Sequence, residues 1–132
     1  MTITPIVAHS HPFIVGVDTH ARHHVYAILD ANTGVLLETR KFPTTGAGIN
    51  RAITWVARRT NADADTLSTI EGAAPYEAIL AGIVTTHRFP VAEAPMDAKK
   101  HRGVGKSALG AHQIALSTLP LPVGETASPP PE

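Results

Sequence analysis

The sequence predicts an α/β domain, a mixed sheet of about five strands flanked by helices. Three observations predict it. Three short β-type segments follow one another from residue 13. Segments of helical period then alternate with further strands. Hydrophobic residues make up 43% of the 132 positions, enough for one domain with a real core.

The elements follow in order. Residues 1–12 (MTITPIVAHSHP), with two prolines and two histidines, are expected as a flexible N-terminal arm. Residues 13–17 (FIVGV) form an unbroken apolar run, the mark of a strand buried on both faces. Residues 23–30 (HHVYAILD) and 35–42 (VLLETRKF) are the arms of a hairpin, joined by the turn Asp30-Ala31-Asn32-Thr33-Gly34. A helix is predicted over roughly 47–60, where Ile49, Ala52, Ile53, Val56 and Ala57 recur at helical spacing, with Trp55 off that stripe. A short strand over 66–70 ends at Glu71. A helix follows from Pro75, a residue suited to a first turn, to Thr86. Residues 88–93 are a strand pushed towards an edge by Pro90. A basic loop over 97–106 leads into a last helix, 107–119, with Leu109, Ile114, Ala115 and Leu119 towards the core. The domain therefore spans 13–119, and residues 120–132 are expected as a disordered Pro-rich tail.

Composition excludes several classes. The chain has no cysteine, which rules out disulfides and thiolate metal sites. Lys+Arg 11 equals Asp+Glu 11, so any basic surface must be local. No apolar run reaches the roughly 18 residues of a membrane span, and the N-terminus lacks signal-peptide order, so a cytoplasmic location without membrane contact is expected.

Two acids stand out. Asp18 closes the apolar run Val15-Gly16-Val17, and Glu71 closes Thr69-Ile70. In a sheet of this order the first and fourth strands are neighbours, so both carboxylates meet at one sheet edge. Two close carboxylates repel unless a cation or proton intervenes. Mg²⁺, a hard cation that binds through one or two carboxylates plus waters and phosphate oxygens, fits such a pair. The plainer reading makes each an ordinary strand-end acid. The element order fits the RNase H-like fold and equally the half-domains of actin-like sugar kinases.

Three segments, Val15-Gly16-Val17-Asp18-Thr19-His20, Ile70-Glu71-Gly72-Ala73-Ala74-Pro75-Tyr76 and Arg102-Gly103-Val104-Gly105-Lys106-Ser107, fall in order at suitable distances. Together they resemble the N-terminal RuvC/RNase H-like domain of the DEDD insertion-sequence transposases related to the Piv DNA invertases, from about Phe13 to Val123. The resemblance implies an RNase H/RuvC-like fold, Mg²⁺ dependence, DNA transposition and recombination, work as a homo-oligomer and guidance by a structured RNA of the element. The catalytic and metal-binding roles then fall on Asp18 and Glu71. The family pattern also carries Asp-x-x-Asp at the start of a helix, which sets both acids on one face. Here that spacing holds Ser107 and Gly110, one residue short and without either aspartate. The resemblance thus implies a metal site cut from four acids to two, weak or lost Mg²⁺ binding and impaired catalysis. The family's C-terminal serine domain has no counterpart before Glu132, so a truncated or frameshifted copy is expected.

The basic stretch Lys99, Lys100 and Arg102 with Lys106 is a candidate hold on a nucleic-acid backbone, against the plainer reading of a solvated loop. Gly103-Val104-Gly105-Lys106-Ser107 lacks the spacing of a phosphate loop. His23 and His24 occupy adjacent strand positions and face opposite sides, which argues against a zinc site with His20. Two other function classes remain open at this stage. One is a non-catalytic nucleic-acid-binding or assembly module derived from a transposase. The other is an actin-like ATPase fragment, weakened by the lack of a second Gly-rich hairpin.

Overall fold

A central strand that is apolar along its whole length has to be covered on both sides, and the fold is built around that need. The computed structural model describes residues 6–72, 74–87, 89–93, 107–121 and 126–127. Its elements are α1 (Val7–Ser10), β1 (Phe13–Asp18), β2 (His23–Asp30), β3 (Leu36–Pro43), α2 (Gly46–Arg59), β4 (Leu67–Glu71), α3 (Ala74–Thr86), β5 (Val91–Glu93), α4 (Ser107–Thr118) and β6 (Thr126–Ala127). The sheet order is β3-β2-β1-β4-β5-β6. β1 pairs antiparallel with β2 and parallel with β4, and β4 pairs parallel with β5.

Side chains alternate across β1 and divide the core. Val15 and Val17 face one side, with Tyr26, Ile28, Ile49, Trp55, Ile70 and Leu80. Ile14 faces the other, with Leu29, Leu67 and Ala115. Helices α2 and α3 cover the first face and α4 the second. Thr45 caps α2, its hydroxyl accepting from the Gly48 N–H at 3.0 Å. Trp55 packs on Phe42 of the edge strand β3, with ring centroids 5.6 Å apart, which is why it leaves the helical stripe.

α4 lies close on β1 because position 16 has no side chain. A Cβ at Gly16 would overlap the Ala111 carbonyl oxygen and stand 2.7 Å from the Ala115 nitrogen. Farther along, the hydroxyls of Thr118 in α4 and Thr69 in β4 share a buried hydrogen bond of 2.8 Å.

The structure differs from the sequence reading at both ends. Within the expected flexible arm, Val7 is fully buried, and its N–H donates to the Leu121 carbonyl at 2.8 Å. The Ala8 N–H donates to Leu119 at 3.0 Å. The arm's one apolar turn thus fills a gap beside Ile14, Leu29 and Leu67 that the sheet and α4 leave open. Within the expected disordered tail, Thr126–Ala127 pair antiparallel with β5. This adds a sixth strand to the five expected and protects an otherwise open sheet edge. β5 itself begins only at Val91, after Pro90, which has no N–H to give to a ladder. Among the described residues, no helix is long and apolar enough to cross a membrane.

Candidate functional site

β1 and β4 run parallel in a register that sets Asp18 directly beside Glu71. Neighbouring strands lie about 4.8 Å apart, so the two carboxylates share one end of the sheet. Both alternate onto the α4 face and both are buried, Asp18 at 5% and Glu71 at 4% exposure. The sequence argument for two strand-end acids meeting is therefore realised in the geometry. The next residue locks the pair of strands together. The Thr19 N–H donates to the Glu71 carbonyl at 2.9 Å, and the Thr19 hydroxyl donates to the same oxygen at 3.1 Å.

The third wall is α4. A Cβ built on Gly110 would stand 2.7 Å from Asp18 Oδ2. Position 110 therefore aims its missing side chain at the Asp18 carboxylate, and it is a helix position from which another ligand would reach Asp18. Ser107 opens the same helix one turn earlier.

Histidines form the fourth wall. His20 Nε2 lies 3.2 Å from Asp18 Oδ2, an ion-pair distance without good hydrogen-bond alignment. The His20 backbone N–H donates to His24 Nδ1 at 3.2 Å. His24 is buried on the α2 face, edge-on to the rings of Tyr26 and Tyr76. Burial lowers its pKa below the ordinary 6.5, helped by neighbouring His20 and His23 and opposed by Asp18. A neutral His24 can accept the His20 N–H, and that bond sets the path of the loop carrying His20 past Asp18. His20 and His23 have ring centroids 6.1 Å apart. Among the described residues, no group of three His, Cys, Asp or Glu side chains is arranged to hold a metal ion.

The row through the acids continues across the sheet as Glu71, Asp18, Val25 and Lys41. Lys41, on the edge strand, is a cation on the acids' own face that the sequence reading missed. Counting residue pairs from the hairpin turn would have put Arg40 there instead, because the register shifts by one residue between Ile28 and Leu29. Lys99, Lys100, Arg102 and Lys106 lie outside the described residues.

A family model for the DEDD transposases of the IS110 type, described as a transposase, matches residues 15–108. The chain belongs to that family. Solved structures agree with this transposase membership at the level of the fold. RuvC of Thermus thermophilus in complex with a Holliday junction substrate is 14% identical with a TM-score of 0.56, over 81% of this chain and 92% of that one. A second Thermus thermophilus RuvC structure is 14% identical with a TM-score of 0.51, over 80% of this chain and 91% of that one. No curated protein matches the chain. The transposase chain thus has a RuvC-like fold, as its sequence segments implied.

Proposed function

We propose that this chain is a DNA-handling RuvC-like transposase domain whose metal site is reduced to Asp18 and Glu71 and whose strand cleavage is impaired. The observation that carries the reading is the contact of Gly110 with Asp18. α4 delivers a residue to the acid pair, and that residue is a glycine. Two buried carboxylates side by side suit Mg²⁺, which accepts one or two carboxylates when waters and substrate phosphate complete its shell. With only two protein ligands the affinity is low. Mg²⁺ bound there would supply alignment of an attacking and a departing oxygen at phosphorus. The chain's own residues hold the acids in place. Thr19 clamps β1 to β4, His24 fixes the loop after Asp18, and His20 supplies a neighbouring nitrogen. The cations Lys99, Lys100, Arg102 and Lys106 belong to the same reading as backbone contacts, with DNA as partner. A structured RNA of the element and a second copy of the chain are further partners under this reading.

The second reading is a binding module that has left catalysis behind, and the same glycine favours it. One assay separates the two. Branched and duplex DNA are incubated with the chain, Asp18→Ala and Gly110→Asp in millimolar Mn²⁺, and binding and nicking are followed together. The expected result is DNA binding by all three, trace nicking by the parent that Asp18→Ala removes, and faster nicking by Gly110→Asp. Binding with no nicking by any variant selects the module. Nicking by the parent that Gly110→Asp does not improve overturns the impairment. Absence of DNA binding overturns the DNA-handling role.

A further inference from the structure

Net charge is zero over the whole chain, yet the charges are unevenly placed. From residue 39 to residue 62 there are five Lys or Arg and no Asp or Glu. That stretch is most of β3 and all of α2, so the fold collects it on one side of the molecule. One of the five, Arg59, is spent locally: its Nε lies 2.8 Å from Glu38 Oε1. Arg40, Arg51 and Arg58 have no carboxylate partner among the described residues, and all three are exposed.

Their placement is ordered. Asn50, Thr54 and Arg58 recur every fourth residue and form a ridge on α2 between two open grooves. One groove, of about 800 Å³, runs towards Phe89. The other, of about 430 Å³, runs towards β3 and is lined by Arg40, Arg51 and Arg58. The Arg40 guanidinium lies 5.1 Å from the Phe42 ring centroid and 6.0 Å from that of Trp55. Held over two rings, it has less freedom to lose when it binds an anion. The ridge adds the Asn50 amide to the arginines, a group that serves phosphate oxygens, while the Thr54 hydroxyl donates to the Asn50 carbonyl at 2.9 Å.

We propose that the β3–α2 face binds the phosphate backbone of duplex DNA through Arg40, Arg51 and Arg58. The charge pattern selects this occupant. From Arg51 to Arg58 the helix rises about 10.5 Å at 1.5 Å per residue. Over such a length a duplex presents about six negative charges, one per 1.7 Å of axis. Among the described residues this face carries three exposed arginines and an amide, and its acid, Glu38, is already paired with Arg59, so the face complements that line of charge. The edge strand β3 makes the path continuous. Lys41 stands on the face of the sheet that carries Asp18 and Glu71, and Arg40, next along the strand, stands on the α2 face. A duplex engaged at the acid row and passing the β3 edge reaches the arginines of α2.

The inference rests on the DNA-handling reading above, and it fails separately from it. The experiment is fluorescence anisotropy on a labelled mixed-sequence duplex and on a single-stranded RNA of equal length. The proteins are the full chain, Arg51→Ala/Arg58→Ala and Arg51→Lys/Arg58→Lys, with salt varied over about 50–200 mM. Circular dichroism and thermal melting check that each variant is folded. On duplex DNA, the plot of log affinity against log salt should become shallower by about 1.8 in the alanine variant, about 0.9 per lost contact. The lysine variant should keep most of the parent slope. Duplex binding with an unchanged slope in the folded alanine variant overturns the surface and leaves the DNA role standing. A change confined to RNA, near 0.7 per contact, overturns duplex DNA as the occupant. No binding of duplex by the parent chain overturns both.

Discussion

Asp18 is positioned by its neighbours more than by its own strand end, and each neighbour gives a test. A carboxylate introduced at position 110 would meet Asp18 Oδ2, since even a Cβ there stands at 2.7 Å. Like charges at that range repel. Gly110→Asp should therefore lower the melting temperature without metal, despite the gain of about 0.5 kcal/mol or less in helix propensity. Millimolar Mn²⁺ should restore it, and differential scanning fluorimetry with and without metal reads both effects. His24 gives a pH test. Its pKa in the folded chain is below the ordinary 6.5, so the unfolded chain binds the proton first. Its contribution to stability is complete above about 6.5 and falls as pH drops towards the lowered value. His24→Asn keeps an acceptor for the His20 N–H without that titration. The variant should flatten the decline of melting temperature between about pH 6.5 and 5. An identical decline in parent and variant would place the titration elsewhere.

At the scale of elements, the acids meet through the parallel register of β1 and β4, and position 110 reaches Asp18 because α4 packs tightly on β1. Gly16 permits that approach, and Gly16→Ala should cost about 1–3 kcal/mol, read from urea unfolding, because the added methyl overlaps helix backbone. The variant should also loosen the site, since Asp18 and Gly110 sit on the same two elements. Most elements were legible in the sequence. β1 is uniformly apolar because both its faces are covered, and α2 carries a clear stripe above a Thr45 cap. The strand-end position of Asp18 and Glu71 was legible for the same reason: each follows a buried run directly. The contact of Gly110 with Asp18 was not. Spacing along α4 gives the relation of residue 107 to residue 110, but the depth of the helix on the sheet depends on Gly16, which is distant in sequence. The arginines of β3 and α2 escaped notice because balanced totals hid an acid-free stretch.

At the scale of the whole molecule, the two ends of the described chain complete the domain. Val7 is fully buried and its turn is tied to Leu119 and Leu121. Val7→Ala should cost about 2 kcal/mol in urea unfolding, from two buried methyl groups at about 0.8 kcal/mol each and the cavity they leave. A loss near zero would mean that the N-terminal turn is not docked in solution. These tertiary ties were invisible in the sequence because prolines and histidines dominate the local composition on either side of a single apolar turn. Charge has a similar logic. A neutral molecule carries an acid pair at one sheet end and a cationic face around the β3 edge, and only the fold shows that the two adjoin through Lys41.

The central claim is that α4 brings position 110 to an acid pair reduced to Asp18 and Glu71. Calorimetric titration of Mn²⁺ into the chain, Asp18→Ala and Gly110→Asp tests it most directly. The predicted result is weak binding by the parent, none by Asp18→Ala, and binding tightened about tenfold or more by Gly110→Asp, at least the effect of an outer-shell ligand partner. Equal binding by the parent and Asp18→Ala, or no gain from the new carboxylate in a folded Gly110→Asp, would contradict it.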